Sequence, residues 1–300
     1  MFAVTILGNN SAIPAHNRHP TSQVLQTAEH MMLIDCGEGT QMQMSTYKIK
    51  RSKLDHIFIS HLHGDHYFGL IGLLNSLALN NRTNDLHIYA PEKLQSVIRL
   101  QMEVAGAAFP YHLYFYNLEK EEIIFEDKKL SVECFKVNHR IECWGFLFKE
   151  KKNVRKIDIG QVKKYKVPKI FFENLHRGED FINSENKMIK NEILTAVADP
   201  PKSYAYCADT AFYEPIAEKI KGVDLVYHES TYLDNDSKKA GERFHSTSKQ
   251  AALIAKKAGA KKLLLGHFSS QYETLDEFKN EACEIFENTE IAEEGACYWA

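Results

Sequence analysis

Six residues, His61-Leu62-His63-Gly64-Asp65-His66, follow directly on a short apolar stretch, His56–Ser60. An apolar run of that length ending at a polar turn reads as a buried strand. Three imidazoles and a carboxylate therefore share one loop at a strand end, where binding and catalytic groups are commonly displayed. Imidazole and carboxylate are the ligands that borderline metals such as zinc favour. Gly64 reads as the residue that lets the loop turn tightly without a side chain in the way. A metal held there needs further ligands from other strand ends, so the loop demands a fold in which several strands terminate together.

The pattern along the chain supplies such strands. Phe2–Leu7, Met31–Asp35 and Leu86–Ala90 are short apolar runs, with helix-like segments at Glu38–Tyr47 and Tyr67–Leu79 and another helix opened by Pro91. His112–Tyr116, Glu122–Phe125, Leu130–Val137 and Cys143–Phe148 read as strands in succession. Ser203–Ala208, Leu225–Glu229 and Lys262–Gly266 follow as strands, with helices at Thr247–Ala258 and Thr274–Glu287. Two strand-rich stretches separated by helices suit an α/β sandwich of two sheets packed face to face with helices outside. From about residue 149 to 195 the apolar periodicity loosens and lysines crowd in. That segment reads as an insertion into a single domain of residues 1–300, not as a second core.

Three more potential ligands stand just beyond predicted strands: His139 after Leu130–Val137, Asp209 after Ser203–Ala208, and His267 after Lys262–Gly266. Six scattered cysteines with no C-x-x-C pair read as reduced thiols of a cytoplasmic protein. The N-terminus, MFAVTILGNN, has no basic leader, and no apolar run approaches the ~18 residues of a membrane span. The formal net charge of −3 excludes general attraction to a polyanion, so any nucleic-acid site must come from local charge or metal.

The six-residue loop resembles the signature of the metallo-β-lactamase superfamily, and His139, Asp209 and His267 match its remaining metal motifs in order. Within the superfamily the chain resembles the ribonuclease Z family over essentially its whole length. The match is carried by Leu33–Gln41 (LIDCGEGTQ), His56–Leu70 (HIFISHLHGDHYFGL), His228-Glu229-Ser230-Thr231, His245-Ser246-Thr247 and Gly266–Tyr272, with a Pro14–Ser22 loop in which His19 replaces the usual asparagine after Arg18. The resemblance implies the αββα metallo-β-lactamase sandwich and two zinc ions per chain. One would be held by His61, His63 and His139, the other by Asp65, His66 and His267, with Asp209 bridging and Asp35 orienting ligands from behind. It further implies a tRNA 3′-processing endonuclease acting on precursor tRNA, a homodimer, and an inserted arm that grips the tRNA body.

Between Lys149 and Lys169 nine basic residues face only Glu150 and Asp158, a local charge of +7. Such a stripe attracts a phosphate backbone without reading sequence. Lys152, Arg155, Lys156, Lys163, Lys164 and, from the N-terminal loop, Arg18 are the expected RNA contacts. Asp65 is the expected general base and His245 the expected acid, with Glu229 fixing its tautomer. Ser246 and Thr247 open a helix whose free N–H groups are expected to favour a phosphate. The alternatives are another phosphodiesterase of the superfamily, acting on small or cyclic nucleotides, and a metal-stabilised RNA-binding scaffold. The basic insert weighs against the first. The second fails because a purely structural metal needs no acid beside it.

Overall fold

The computed structural model describes residues 1–151 and 154–300. They divide into two compact units, one of Met1–Glu126, Val132–Phe148 and Lys202–Ala300, the other of Asp127–Ser131 and Lys149–Pro201.

The first unit carries two seven-stranded sheets. In one the order is Cys297–Trp299, Ala3–Gly8, Ser22–Gln26, Met31–Cys36, His56–Phe58, Leu86–Ala90 and Leu113–Asn117. Its first three pairings are antiparallel and its last three parallel. In the other the order is Thr289–Ile291, Lys262–Gly266, Leu225–Glu229, Ser203–Cys207, Trp144–Glu150, Leu130–Lys136 and Glu122–Glu126, beginning with three parallel pairs. Parallel strands are covered on both faces, and Met31–Cys36 and Leu225–Glu229 are buried at every position.

Alternation assigns the faces. Met31 and Leu33 join Met44, Leu70, Leu73, Leu77 and Ile98 under the helices Thr40–Thr46, Leu70–Leu79 and Lys93–Val104. Leu263 and Leu265 join Ala251, Ala255, Phe278 and Ala282 under the helices Ser248–Ala258 and Asp276–Cys283. The inner faces meet through rings: Phe58 lies 5.4 Å from Phe146 and 5.3 Å from Phe148. The arrangement is the metallo-β-lactamase sandwich that the sequence implies.

Strand ends differ from expectation where the site takes over the backbone. His56–Phe58 stops short of Ser60 because the Ser60 N–H leaves the ladder and donates to Asp35 Oδ1 at 2.7 Å. Ser22–Gln26, Thr289–Ile291 and Cys297–Trp299 have no clear apolar signature in the sequence. The first pairs only two apolar residues with buried polar ones, and the other two are three residues long.

The second unit is assembled from short pieces. Lys156–Ile157 pairs with Thr195–Ala196, and Phe181–Ile182 with Met188–Ile189. Three helices of four to six residues, Ile159–Lys164, Phe172–Arg177 and Asn191–Leu194, complete it. Elements so short show no period, which is why the segment reads as unpatterned. It nevertheless encloses an apolar cluster of Val162, Val167, Leu175, Phe181, Ile189 and Leu194. No helix among the described residues is long and apolar enough to cross a membrane.

Candidate metal centre

All seven expected ligands come together at the carboxyl ends of strands. His61, His63, Asp65 and His66 occupy the loop and helical turn after His56–Phe58, His139 follows Leu130–Lys136, Asp209 follows Ser203–Cys207, and His267 follows Lys262–Gly266. They form two groups of four that share Asp209: His61, His63, His139 and Asp209, and Asp65, His66, Asp209 and His267. Asp209 turns Oδ2 toward His61 Nε2 (3.6 Å) and His139 Nε2 (3.9 Å), and Oδ1 toward His66 Nε2 (3.3 Å) and His267 Nε2 (3.1 Å). In the first group His63 enters through Nδ1, 3.0 Å from His61 Nε2 and 3.2 Å from His139 Nε2. In the second, Asp65 Oδ2 lies 3.4 Å from both His66 Nε2 and His267 Nε2.

Both groups fit a cation. Asp209 Oδ1 is buried and has no hydrogen-bond partner. Orphaned buried polar atoms are rare and call for an explanation; a cation held between Asp209 and the neighbouring ring nitrogens would supply the missing partner. The opposite ring nitrogens are all engaged. His61 Nδ1 lies 3.0 Å from Ser60 Oγ, His66 Nδ1 is 2.7 Å from Asp35 Oδ2, His139 Nδ1 is 2.9 Å from the Phe244 carbonyl, and His267 Nδ1 is 2.9 Å from Thr231 Oγ1. Each of these N–H groups has an acceptor, so the Nε2 lone pairs are left facing the centre, as metal-binding histidines require.

Electrostatics agree. Burial, then the neighbouring His66, holds His61 well below its ordinary pKa, and burial with His139 brings His63 to about 4. Both rings are neutral and available as ligands. Burial raises the pKa of Asp65 and Asp209, but His66 with a hydrogen bond from His267 outweighs it at Asp65, the neighbouring His267 and His66 outweigh it at Asp209, and both carboxylates stay ionised. His66 moves the opposite way. Burial lowers it, but Asp209, Asp65 and Asp35 together raise it well above its ordinary value. Three carboxylates around one imidazole demand positive charge at that point, and two divalent cations would meet the demand.

Asp35 reaches the centre through a bulge. Ser22 pairs with Cys36 and Gln23 with Ile34, leaving Asp35 as the extra residue, with φ 55. Bulges re-aim side chains beside active sites. Here the carboxylate is turned to accept from Tyr206 Oη at 2.6 Å, Ser60 Oγ at 2.8 Å and the Ser60 amide. His267 also sits at positive φ, 60°. Such a conformation costs a residue with a side chain roughly 1 kcal/mol or more, and here it aims a ligand.

Next to the ligands stands the pair His245 and Glu229. His245 Nδ1 is 2.8 Å from Glu229 Oε1, and its ring lies 5.4 Å from His267 and 5.3 Å from His139. Burial lowers its pKa, but the Glu229 carboxylate overrides this and pushes it up to about 9. A cleft of about 300 Å³ opens over the centre, lined by Ser11, Ala12, Asp65, Phe68, Arg140 and His245 among others.

Several expectations are corrected and several participants are new. The helix at Ser248–Ala258 offers no phosphate site at its start. Thr247 Oγ1 accepts from the Gln250 amide, Gln250 Oε1 from the Thr247 amide, and the Ser248 amide donates to the Tyr232 carbonyl. Ser246, Thr247 and Ser248 are all buried. Gly64 keeps a side chain out of the way, as expected: its φ is not left-handed, and a Cβ there would strike the Phe68 ring at 2.3 Å. Arg18 donates Nε to Asn10 Oδ1 at 3.0 Å and its two Nη atoms to the Tyr272 and Glu273 carbonyls, clamping its loop to residues 272–273. Lys152 lies outside the described residues. Arg155 donates Nε to Thr195 Oγ1 at 2.7 Å, and Lys156 pairs with Asp199 at 2.6 Å, whereas Lys163 and Lys164 are exposed. Ser60, Thr231, Tyr206 and Arg140, whose Nε lies 3.2 Å from His63 Nε2, are site residues that were not given a role from the sequence. Ser60 and Thr231 lie inside the recognised stretches His56–Leu70 and His228–Thr231, and that position was the available signal.

Comparison with known proteins bears on the same architecture. A family model described as Anti-Pycsar protein Apyc1 matches residues 2–158, and the Beta-lactamase superfamily domain matches residues 145–268. Ribonuclease Z of Parabacteroides distasonis is 43% identical over 296 residues, covering 98% of this chain and 97% of its own. Ribonuclease Z of Bacteroides thetaiotaomicron is 42% identical over 298 residues, covering 99% and 94%. The crystal structure of human tRNase Z, short form, superposes with a TM-score of 0.72 at 25% identity, covering 99% of this chain and 98% of that one.

Proposed function

Because the chain belongs to the ribonuclease Z family and is a hydrolase that processes tRNA 3′ ends, we propose that two zinc ions occupy its paired ligand groups and that the bond cut is the phosphodiester joining tRNA to its 3′ trailer. The observation that carries this reading is Asp209, shared between two complete groups of ligands beside a buried His245–Glu229 pair. A histidine and carboxylate set without cysteine suits zinc. When bound, the ions supply Lewis acidity and a water that ionises near neutral pH.

The chain's own residues do the rest. Asp65 accepts the proton of the attacking water, and the Ala12 amide, donating to its Oδ2 at 2.8 Å, fixes its orientation. The new bond forms from water oxygen to phosphorus, and the bond from phosphorus to the ribose 3′-oxygen breaks. That oxygen leaves as a hydroxyl with the proton of His245 Nε2, whose Nδ1 is held by Glu229. The products are a tRNA 3′-hydroxyl and a trailer 5′-phosphate. We include in the same reading a homodimer in the cytoplasm, and an arm, about residues 149–195, whose lysines hold the tRNA body.

The test is incubation of metal-loaded protein with a precursor tRNA carrying a 3′ trailer, with product ends mapped. Asp65→Ala and His245→Ala are expected to lower kcat at least about 100-fold while precursor binding stays within a few-fold. Near wild-type cleavage by H245A would remove the acid from the scheme. Cleavage of small or cyclic phosphodiesters with none of the precursor would favour the alternative enzyme.

A further inference from the structure

Phe68 is a large apolar side chain, 63% exposed, at the wall of the metal cleft. It ends the turn Gly64–Tyr67 that carries Asp65 and His66. Single exposed apolar residues are ordinary, but this one is specifically supported. Its ring rests against Gly64, where a Cβ would come within 2.3–2.6 Å of three ring carbons. The Tyr67 ring props it edge-on at 5.0 Å. One side of the ring is therefore fixed by the loop that holds the ligands, and the exposed side borders the cleft. This also explains the glycine within the metal loop, which no left-handed conformation requires.

We propose that Phe68 is a nucleobase platform: it stacks an unpaired base of a nucleotide adjoining the scissile phosphate and so positions that phosphate over the metal centre. The inference rests on the reading of the substrate as RNA. Unpaired bases are recognised by stacking on aromatic rings, and every base offers a face for it. The cleft gives the neighbouring groups complementary tasks. Arg140 is exposed there and brings positive charge for phosphate, and Asp65 and His245 act on the bond itself. A ring fixed three residues from Asp65 couples the position of the base to the position of attack. Phe68 touches no reacting atom in this scheme and is a positioning residue.

The experiment crosses one substitution with one substrate change. Wild type and Phe68→Leu, which keeps apolar bulk but removes the ring, are assayed on a precursor tRNA and on the same precursor made abasic at each nucleotide flanking the cut. Expected are a loss in kcat/KM of about tenfold for wild type at one abasic position, and a similar loss for F68L on the intact precursor. F68L should lose nothing further on that abasic substrate, and Phe68→Trp should restore cleavage of the intact one. Full activity of F68L, or losses that multiply, would overturn the platform. So would a fall in zinc content or a change of oligomeric mass in F68L, since the ring would then be a structural prop or an interface residue. If wild type cleaves no precursor at all, the RNA reading itself fails, which is a different result from a wild type that cleaves and an F68L that cleaves equally.

Discussion

Thr231 Oγ1 lies 2.9 Å from Nδ1 of the metal ligand His267. The same hydroxyl is 2.8 Å from Glu229 Oε2, which accepts only, so the hydroxyl hydrogen points to Glu229 and its lone pair accepts the His267 N–H. Glu229 Oε1 meanwhile holds His245. One buried carboxylate thus fixes the tautomer of a ligand through Thr231 and that of the acid directly. Thr231→Val removes the hydroxyl at nearly constant volume and is expected to weaken metal retention about 10- to 100-fold, the usual effect of losing a ligand's orienting partner. Thr231→Ser should keep it. Chelator competition reads the affinity; equal retention by T231V would deny the hydroxyl this role.

Asp209 is the only residue common to the two ligand groups. Wild-type protein is expected to hold about two zinc ions per chain by elemental analysis. His139→Ala should lose about one of them, and Asp209→Ala should lose more, because it takes a ligand from both ions. A single ion in saturated wild type would exclude the paired centre.

The pH dependence of cleavage follows from the sign of the shift on His245. The acid must carry its proton, and Glu229 raises its pKa to about 9 against burial. On the alkaline side, activity is therefore lost as pH rises through that value. Glu229→Gln removes the charge that raises the pKa, so the alkaline limb of kcat should move down by about one unit or more. An unmoved limb would assign it to another group.

Much of this site could be read in the sequence because its ligands follow strand ends at local spacing: His61 to His66 in one loop, and Asp209 and His267 one or two residues past apolar runs. What could not be read arises from contacts across the fold. Tyr206 and Asp35 meet from strands 171 positions apart, and nothing about either residue announces the other. The bulge that aims Asp35 exists because Ser22 and Gln23 straddle it on a strand whose polar sequence hides its burial. The helix start at Thr247 is a different case. Thr247 and Gln250 have the spacing of a capping box, so the sequence itself indicated that these amides are satisfied internally. The insert lost its signal for a geometric reason, since a cluster closed by two-residue strands leaves no period to detect.

The arm's role in RNA binding turns on which of its cations are available. Lys156 is paired with Asp199 and Arg155 is tied to Thr195, but Lys163, Lys164, Lys166 and Lys169 are exposed on the segment that follows. They flank Val162 and Val167, which are buried in the unit's own cluster, so the apolar side of this segment is anchored while its lysines face water. Changing all four to Gln leaves Val162, Val167 and the Asp158 cap untouched, and the unit should keep its fold. With the whole chain at −3, these residues are expected to supply much of the attraction for tRNA. For every phosphate that is no longer neutralised, the slope of log affinity against log salt should fall by about 0.7–0.9, so the quadruple variant should bind precursor more weakly with a slope shallower by up to about 3. Hydrolysis of bis(p-nitrophenyl) phosphate should be unchanged, since none of the four is a metal ligand. Binding with an unaltered slope would show that these lysines are merely solvated and would move the RNA-binding surface to another part of the chain.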